Sequence, residues 1–148
     1  MKIYHLYLIQ EDIAQEYFGR EHMLFDLFMQ FADSHSLTEK KVLCKQIKYI
    51  TKPLQTLKLH HRVEQALSTH PYYKHEKECH ILYSPMGQEY GKLTIKGRYA
   101  KIESMGSFEV ETTFFEILRK NEQTFLAMDF KGNRYGWLNP IKQGRKYV

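Results

Sequence analysis

The sequence predicts a single α/β (α+β) domain in which helices pack on a mixed, mostly antiparallel sheet. The length of 148 residues suits one domain spanning residues 1–148. The contents of 43% hydrophobic and 26% charged residues are typical of globular proteins. Apolar runs and helical segments follow one another in the order β–α–α–α–β–β–β–α–β–β, which is typical of a sheet covered by helices.

The first predicted element is a buried strand over residues 2–9, where Ile, Tyr and Leu form a short apolar run. Acidic residues then favour a helix start at 11–12, and helical periodicity continues to about Ala32. Gly19 interrupts this segment, because a helical glycine costs about 1 kcal/mol relative to alanine. The segment is therefore either two helices that meet near Gly19 and Arg20, or one helix with a local distortion.

The second predicted helix covers residues 39–50, with Thr38 as its N-cap. Pro53 interrupts the chain and suits the first turn of a third helix, which extends to about Ser68. His70 and Pro71 follow this helix and end it.

The second half of the chain is richer in strands. Short runs of Tyr, Ile and Leu are separated by turn residues, which is typical of an antiparallel meander followed by a final hairpin. A fourth helix is predicted from Ser107 to about Lys120, between the meander and the hairpin. The predicted strands are 78–84, 89–96, 98–104, 124–130 and 134–138.

The first helical segment carries more apolar surface than one contact with a sheet needs. On a continuous helical wheel, one apolar arc lies around Ile13 and a second lies beside it. The first arc contains Ile13, Tyr17, Leu24, Phe28 and Phe31, and the second contains Ala14, Phe18, Phe25 and Ala32. Either the second and third helices cover the surplus, or part of it remains available to a partner. Tyr17 favours a partner surface slightly, because tyrosine can bury its ring while its hydroxyl stays hydrated.

Catalytic motifs are hard to find in the chain. It contains no glycine-rich phosphate loop, no G-x-S-x-G turn and no HExxH pair, so an enzyme and a bound cofactor are not expected. Glu109 and Glu111 are interpreted as residues that stabilise a helix start.

A metal site is the strongest chemical alternative, because several potential ligands lie close together in the chain. They are His60, His61, His70, His75, Cys79 and His80, which Cys44 could join in space. No second C-x2-C or H-x3-H pair completes a tetrahedral set, so no metal is expected.

The near-C-terminal run from 127 to 140 contains the only tryptophan. Trp137 is interpreted as a core residue of the last strand, and Pro140 as a structural residue that fixes the departing chain. A ligand pocket lined by Tyr135 and Trp137 is the functional alternative.

The net charge of +5 permits an acidic partner, and a direct DNA-binding regulator is therefore the alternative function. No apolar run reaches the about 20 residues of a membrane span, and the N-terminus does not resemble a signal peptide. The protein is expected to be cytoplasmic, with Cys44 and Cys79 as reduced thiols.

Three segments together resemble a known family. YLIQEDIAQEYFGRE, KQIKYITKPL and ETTFFEILRK…FLAMDFKGNRYGWLNP are similar to the sporulation inhibitor of replication family, SirA, of endospore-forming bacteria. Their order and spacing agree over essentially the whole chain. The patterns at 17–20, 49–53 and 134–140 carry most of the specificity.

The resemblance implies a protein without enzymatic activity. Members of this family bind domain I of the replication initiator DnaA and block new rounds of replication during sporulation. The resemblance further implies a contact through Ile13, Tyr17 and Gln46, with the first two forming an apolar patch and Gln46 a polar rim. The family favours an aromatic residue at the position of Ile13, so this chain departs from the pattern there. Pro140 matches a structural proline of the family.

Overall fold

A computed structural model describes residues 1–106 and 108–142. Five helices lie in this part of the chain: α1 (Glu11–Glu16), α2 (Glu21–Asp33), α3 (Leu37–Ile50), α4 (Thr56–Leu67) and α5 (Phe108–Asn121). Eight strands lie there as well: β1 (Lys2–Ile9), β2 (Thr51–Lys52), β3 (Tyr73–Glu76), β4 (Cys79–Tyr83), β5 (Glu89–Ile95), β6 (Tyr99–Ser104), β7 (Phe125–Asp129) and β8 (Arg134–Trp137).

The eight described strands form one open sheet in the order β3-β4-β5-β6-β1-β7-β8, and β2 pairs with the end of β1. Every pairing among them is antiparallel. The predicted α/β class, the meander β4–β5–β6 and the final hairpin β7–β8 are therefore confirmed.

The central strand β1 separates two hydrophobic clusters, because successive side chains of a strand point to opposite faces. Leu6 and Leu8 belong to the cluster under α4 and α5, which we call the α4–α5 face. Tyr7 and Ile9 belong to the cluster under α1, α2 and α3, which we call the α1–α3 face. The helices thus cover both faces of the sheet.

The first helical segment is two helices, which settles the alternatives left by the sequence. Gly19 lies between α1 and α2 with φ at +82°, in the left-handed region that favours glycine. The continuous helical wheel was therefore wrong, because the turn at 17–20 changes the direction of the chain. Phe18 is 48% exposed, whereas Phe25 is buried.

Several predicted boundaries needed correction. Ser36 caps α3, since its hydroxyl accepts a hydrogen bond from the Glu39 amide at 3.3 Å, so Thr38 is a first-turn residue and not the N-cap. The third helix begins at Thr56, three residues after Pro53. Ser107, the predicted start of the fourth helix, lies outside the described residues.

Two strands were not predicted. The short strand β2 pairs with Leu8 and Ile9 of β1. A strand of two residues is too short to show any periodicity in the sequence. The strand β3 pairs with β4 through a hairpin, and its polar sequence YKHE shows no apolar alternation.

The helix α5 approaches the sheet closely at Gly91 of β5. A Cβ atom at this position would clash with the side chain of Val110. Glycine therefore allows α5 to lie against the centre of the sheet. Among the described residues, every helix falls short of the length and apolar character that a bilayer crossing requires.

Candidate functional site

Ile13 lies in α1 and Tyr17 caps its C-terminus one helical turn later, and both side chains are half-buried. They pack against the edge of the α1–α3 cluster, in which Ala14 of the same helix is fully buried. The Tyr17 amide donates to the Ile13 carbonyl at 3.0 Å, so Tyr17 closes the last turn of α1. The structure therefore keeps these two predicted residues together, with part of each side chain facing solvent.

The turn after α1 brings Arg20 over the Tyr17 ring. The Arg20 guanidinium lies over this ring at 5.1 Å and donates to the Glu16 carbonyl at 2.7 Å. The Gly19 amide donates to the Glu21 carboxylate at 2.7 Å. These contacts stabilise the turn after α1 and place the Arg20 guanidinium against one side of the Tyr17 ring.

The start of α1 is joined to the end of α3. The Gln10 amide donates to the Ile50 carbonyl at 2.8 Å, and the Gln10 side chain donates to the Thr51 carbonyl at 3.2 Å. The Thr51 hydroxyl in turn donates to the Ile47 carbonyl at 2.7 Å. The two helices that carry the predicted site residues are therefore linked by direct hydrogen bonds.

The third predicted residue, Gln46, is exposed on the outer side of α3, next to the buried Ile47. Val42 and Tyr49 share its side of the helix at spacings of four and three residues, and they are 52% and 78% exposed. An apolar and aromatic strip thus accompanies Gln46. The exposure of Val42 and Tyr49 was not predicted, although their spacing from Gln46 places them on the same side of the helix.

Lysines surround this strip. Lys41, Lys45 and Lys48 of α3 are exposed, and the same helix carries one acidic residue, Glu39, in its first turn. The first turn of α1, in contrast, is acidic, with Glu11 and Asp12. The outer side of α3 therefore presents positive charge beside the apolar residues.

The two residues predicted to be structural lie at the end of the sheet. Trp137 ends β8, is half-buried and packs against the α1–α3 cluster. Its indole Nε1 is buried without a hydrogen-bond partner among the described residues. Pro140 is exposed and lines a pocket beside Ala14 of α1. The ring of Tyr135 stacks on Phe25 at 4.8 Å, so it packs on α2.

A separate cluster lies on the α4–α5 face, where the structure brings together three of the histidines considered as metal ligands. His60 comes from α4, and His75 and His80 are directly opposite each other in β3 and β4. One ring nitrogen from each lies within 4.8 Å of the others. We call these three residues the histidine cluster.

The other potential ligands lie elsewhere. His61 is exposed, and the His70 ring accepts a hydrogen bond from the Tyr72 amide at 3.1 Å. Cys79 lies 3.6 Å from the Thr94 hydroxyl, and Cys44 belongs to α3. The position of His75 in a strand was not expected, and this strand is what aligns it with His80.

Burial lowers the pKa of His60 and of His80 in the histidine cluster. His80 is fully buried, and burial together with the neighbouring His75 and His60 lowers its pKa to about 3. Burial and the proximity of His75 also lower the pKa of His60. Both rings are therefore neutral at physiological pH.

Two comparisons with known proteins agree with the resemblance of the sequence motifs. A profile of the family described as sporulation inhibitor of replication protein SirA matches residues 2–142. A Bacillus subtilis (strain 168) protein named sporulation inhibitor of replication protein SirA is 38% identical over 154 aligned positions, which cover 98% of this chain and 97% of that protein. This chain therefore belongs to the sporulation inhibitor of replication family, SirA.

Proposed function

We propose that this protein inhibits the initiation of chromosome replication during sporulation by binding domain I of the initiator DnaA. Its relative from Bacillus subtilis is named for inhibition of replication in sporulation, and that name supports the regulatory role. The mechanism is protein–protein contact without chemistry.

The observation that carries this proposal is the half-exposed pair Ile13 and Tyr17 on a short helix that is fixed at both ends. Gln10 ties the start of α1 to α3, and Arg20 lies over the Tyr17 ring after its end. An aromatic anchor beside an aliphatic side chain is typical of the centre of a protein interface.

Gln46 and its neighbours supply the rim of this surface. The exposed amide of Gln46 can both donate and accept hydrogen bonds, which suits recognition at the edge of an apolar contact. The exposed lysines of α3 favour an acidic patch on the partner and accelerate its approach.

Binding would inhibit by occlusion. A protein seated on domain I covers the surface through which the initiator assembles or recruits other factors. Ile13 offers less apolar area than the aromatic residue that the family favours at this position. We therefore expect Tyr17 to contribute more of the affinity here than Ile13 does.

Isothermal titration of the protein into isolated DnaA domain I of the same organism tests this function. We expect saturable binding that Tyr17→Ala abolishes, while the free energy of unfolding changes by less than about 1 kcal/mol. Tyr72→Ala is the matched control, because Tyr72 is also partly exposed, at 42%, but lies at the start of the β3–β4 hairpin. This control should bind like the parent protein.

Two results would contradict the proposal. Equal loss of binding in Tyr72→Ala and Tyr17→Ala would place the contact elsewhere. Absence of binding by two folded proteins, combined with DNA binding that weakens steeply as salt rises, would favour the DNA-binding alternative.

A further inference from the structure

We propose that the histidine cluster His60, His75 and His80 binds a divalent transition-metal ion, with zinc as the favoured ion. The site lies where α4 meets the β3–β4 hairpin, on the face of the sheet opposite α1, α2 and α3. It is thus independent of the surface proposed to bind DnaA.

The backbone positions the three rings without help from loops. His75 and His80 are register partners in adjacent antiparallel strands, so their side chains lie side by side on the same face. His60 lies between the buried residues Leu59 and Val63 of α4, so this part of the helix is fixed against the sheet. Ligands on packed helices and strands hold a metal geometry more precisely than ligands on loops.

The distances suit a metal ion. The His60 Nδ1 and His80 Nε2 atoms are 2.7 Å apart, and the His75 ring lies 4.1 Å from the His80 ring between centroids. Zinc with Zn–N bonds of about 2.0–2.1 Å places tetrahedral ligand nitrogens about 3.4 Å apart. Binding therefore requires His60 and His80 to separate by about 0.7 Å, a shift that side-chain rotation can supply.

Neighbouring groups orient two of the rings. The Tyr73 hydroxyl contacts the His80 Nδ1 atom at 2.7 Å, which leaves Nε2 directed at His60. The Glu64 carboxylate lies 3.2 Å from the His75 Nδ1 atom. Hydroxyl and carboxylate partners of this kind are typical of metal-bound histidines, because they fix the tautomer and the ring orientation.

His75 is the ligand that must rearrange. Its Nε2 atom lies 2.9 Å from the Lys77 carbonyl, while Glu64 occupies the other ring nitrogen. Coordination replaces one of these two contacts. Because His75 is only half-buried, it can move without disturbing the core.

Three imidazoles and an open fourth position form a donor set that zinc accepts readily. The fourth ligand is water. Hard cations such as magnesium and calcium prefer oxygen ligands and are not expected here. The metal would connect α4 to the β3–β4 hairpin and thereby stabilise the edge of the sheet.

The test uses the full chain, prepared without a histidine tag and freed of metal by a chelator. Zinc titration followed by calorimetry, with elemental analysis of the dialysed complex, should give one zinc per chain and a higher melting temperature. Substitutions of outer-shell residues lower metal affinity by about 10–100-fold. His75→Ala removes a ligand and should lower the zinc affinity by more than that.

His61→Ala and His70→Ala are the matched controls, because both histidines are close to the cluster in sequence but do not belong to it. They should retain the parent affinity. A second variant, Tyr73→Phe, keeps the ring and removes the hydroxyl that orients His80, so a loss of about 10–100-fold is expected.

Three outcomes would overturn the proposal. One is a parent protein that takes up no zinc, and another is an equal affinity in the parent and in both His75→Ala and Tyr73→Phe. The third is loss of binding in the control variants. The Tyr73→Phe result decides the question if His75→Ala fails to fold.

Discussion

The helices α5 and α1, which lie on opposite faces of the sheet, differ in how completely their apolar residues are buried. On the α4–α5 face, Val110, Phe114 and Leu118 of α5 are fully buried. On the α1–α3 face, Ile13 and Tyr17 remain half-exposed at the edge of the cluster, and Tyr49 is almost entirely exposed. Substitutions on the first face should therefore affect folding, and substitutions at the edge of the second should affect binding.

The difference in burial between α5 and α1 follows from the lengths of the two helices and from how each is attached to the rest of the domain. The helix α5 has fourteen residues and lies against the sheet at Gly91, so one complete apolar stripe is buried. The helix α1 has six residues, and Ala14 is its one buried side chain. A short helix held by its ends can present side chains to a partner without weakening the core.

The largest expected effect comes from the buried face. Phe114→Ala should lower the free energy of unfolding by about 3–5 kcal/mol, because it leaves a cavity in a close-packed cluster. Phe18→Ala is the matched control, since Phe18 is 48% exposed and should cost less than about 0.5 kcal/mol. Denaturant unfolding measures both values. Similar losses of unfolding free energy in the two variants would contradict the difference in burial between α5 and the turn after α1.

Acid should also destabilise the α4–α5 face. The pKa of His80 is about 3 in the folded protein and about 6.5 in the unfolded chain, so the unfolded chain binds the additional proton below pH 6.5. The contribution of neutral His80 to the free energy of unfolding is therefore fully present above pH 6.5. It is lost progressively as the pH falls from 6.5 toward 3. At pH 5 this loss should reach about 2 kcal/mol for the metal-free chain.

His80→Gln tests the origin of this acid sensitivity, because glutamine does not titrate. The variant should show a flatter dependence of unfolding free energy on pH between 7 and 5. A residual dependence of the same sign should remain, because burial also lowers the pKa of His60 in the histidine cluster and of His5 on the other face. An unchanged slope in His80→Gln would assign the acid sensitivity to other groups.

A smaller effect is expected at the start of α3, the helix that carries Gln46. Ser36→Ala should cost about 1 kcal/mol, because the Glu39 amide loses its side-chain acceptor. Thr38→Ala should cost less, since Thr38 lies in the first turn and is exposed. Thermal unfolding of the two variants measures the loss of stability in each. A larger loss for Thr38→Ala than for Ser36→Ala would contradict the assignment of Ser36 as the N-cap of α3.

The smallest effect concerns the rim of the proposed interface. Gln46→Ala should weaken binding to DnaA domain I by about 0.5–1 kcal/mol, the net value of one hydrogen bond, without changing stability. Gln65→Ala on α4 is the matched control, because Gln65 is an exposed helical glutamine on the other face. Titration calorimetry distinguishes them, and equal affinities would remove Gln46 from the interface.

Local patterns predicted much of the fold. The helical spacing of α3, the turn residues of the meander and the apolar run of β1 depend on residues close in sequence, so local patterns were sufficient to predict these elements. The strand β3 was not predictable in this way, because the polar YKHE becomes a strand only by pairing with β4. The candidate residues Ile13, Tyr17 and Gln46 came from family resemblance, and their role in binding stays a prediction.

The sequence by itself determined the class of fold, the order of most elements and membership of the family. The tertiary structure decided which apolar residues are covered and which histidines meet. Gly19 turns the chain between α1 and α2, which leaves Phe18 exposed and Phe25 buried. The pairing of β3 with β4, and the packing of α4 on the sheet, bring His60 to residues 15 and 20 positions away. Such contacts depend on long-range packing, which no short window of sequence contains.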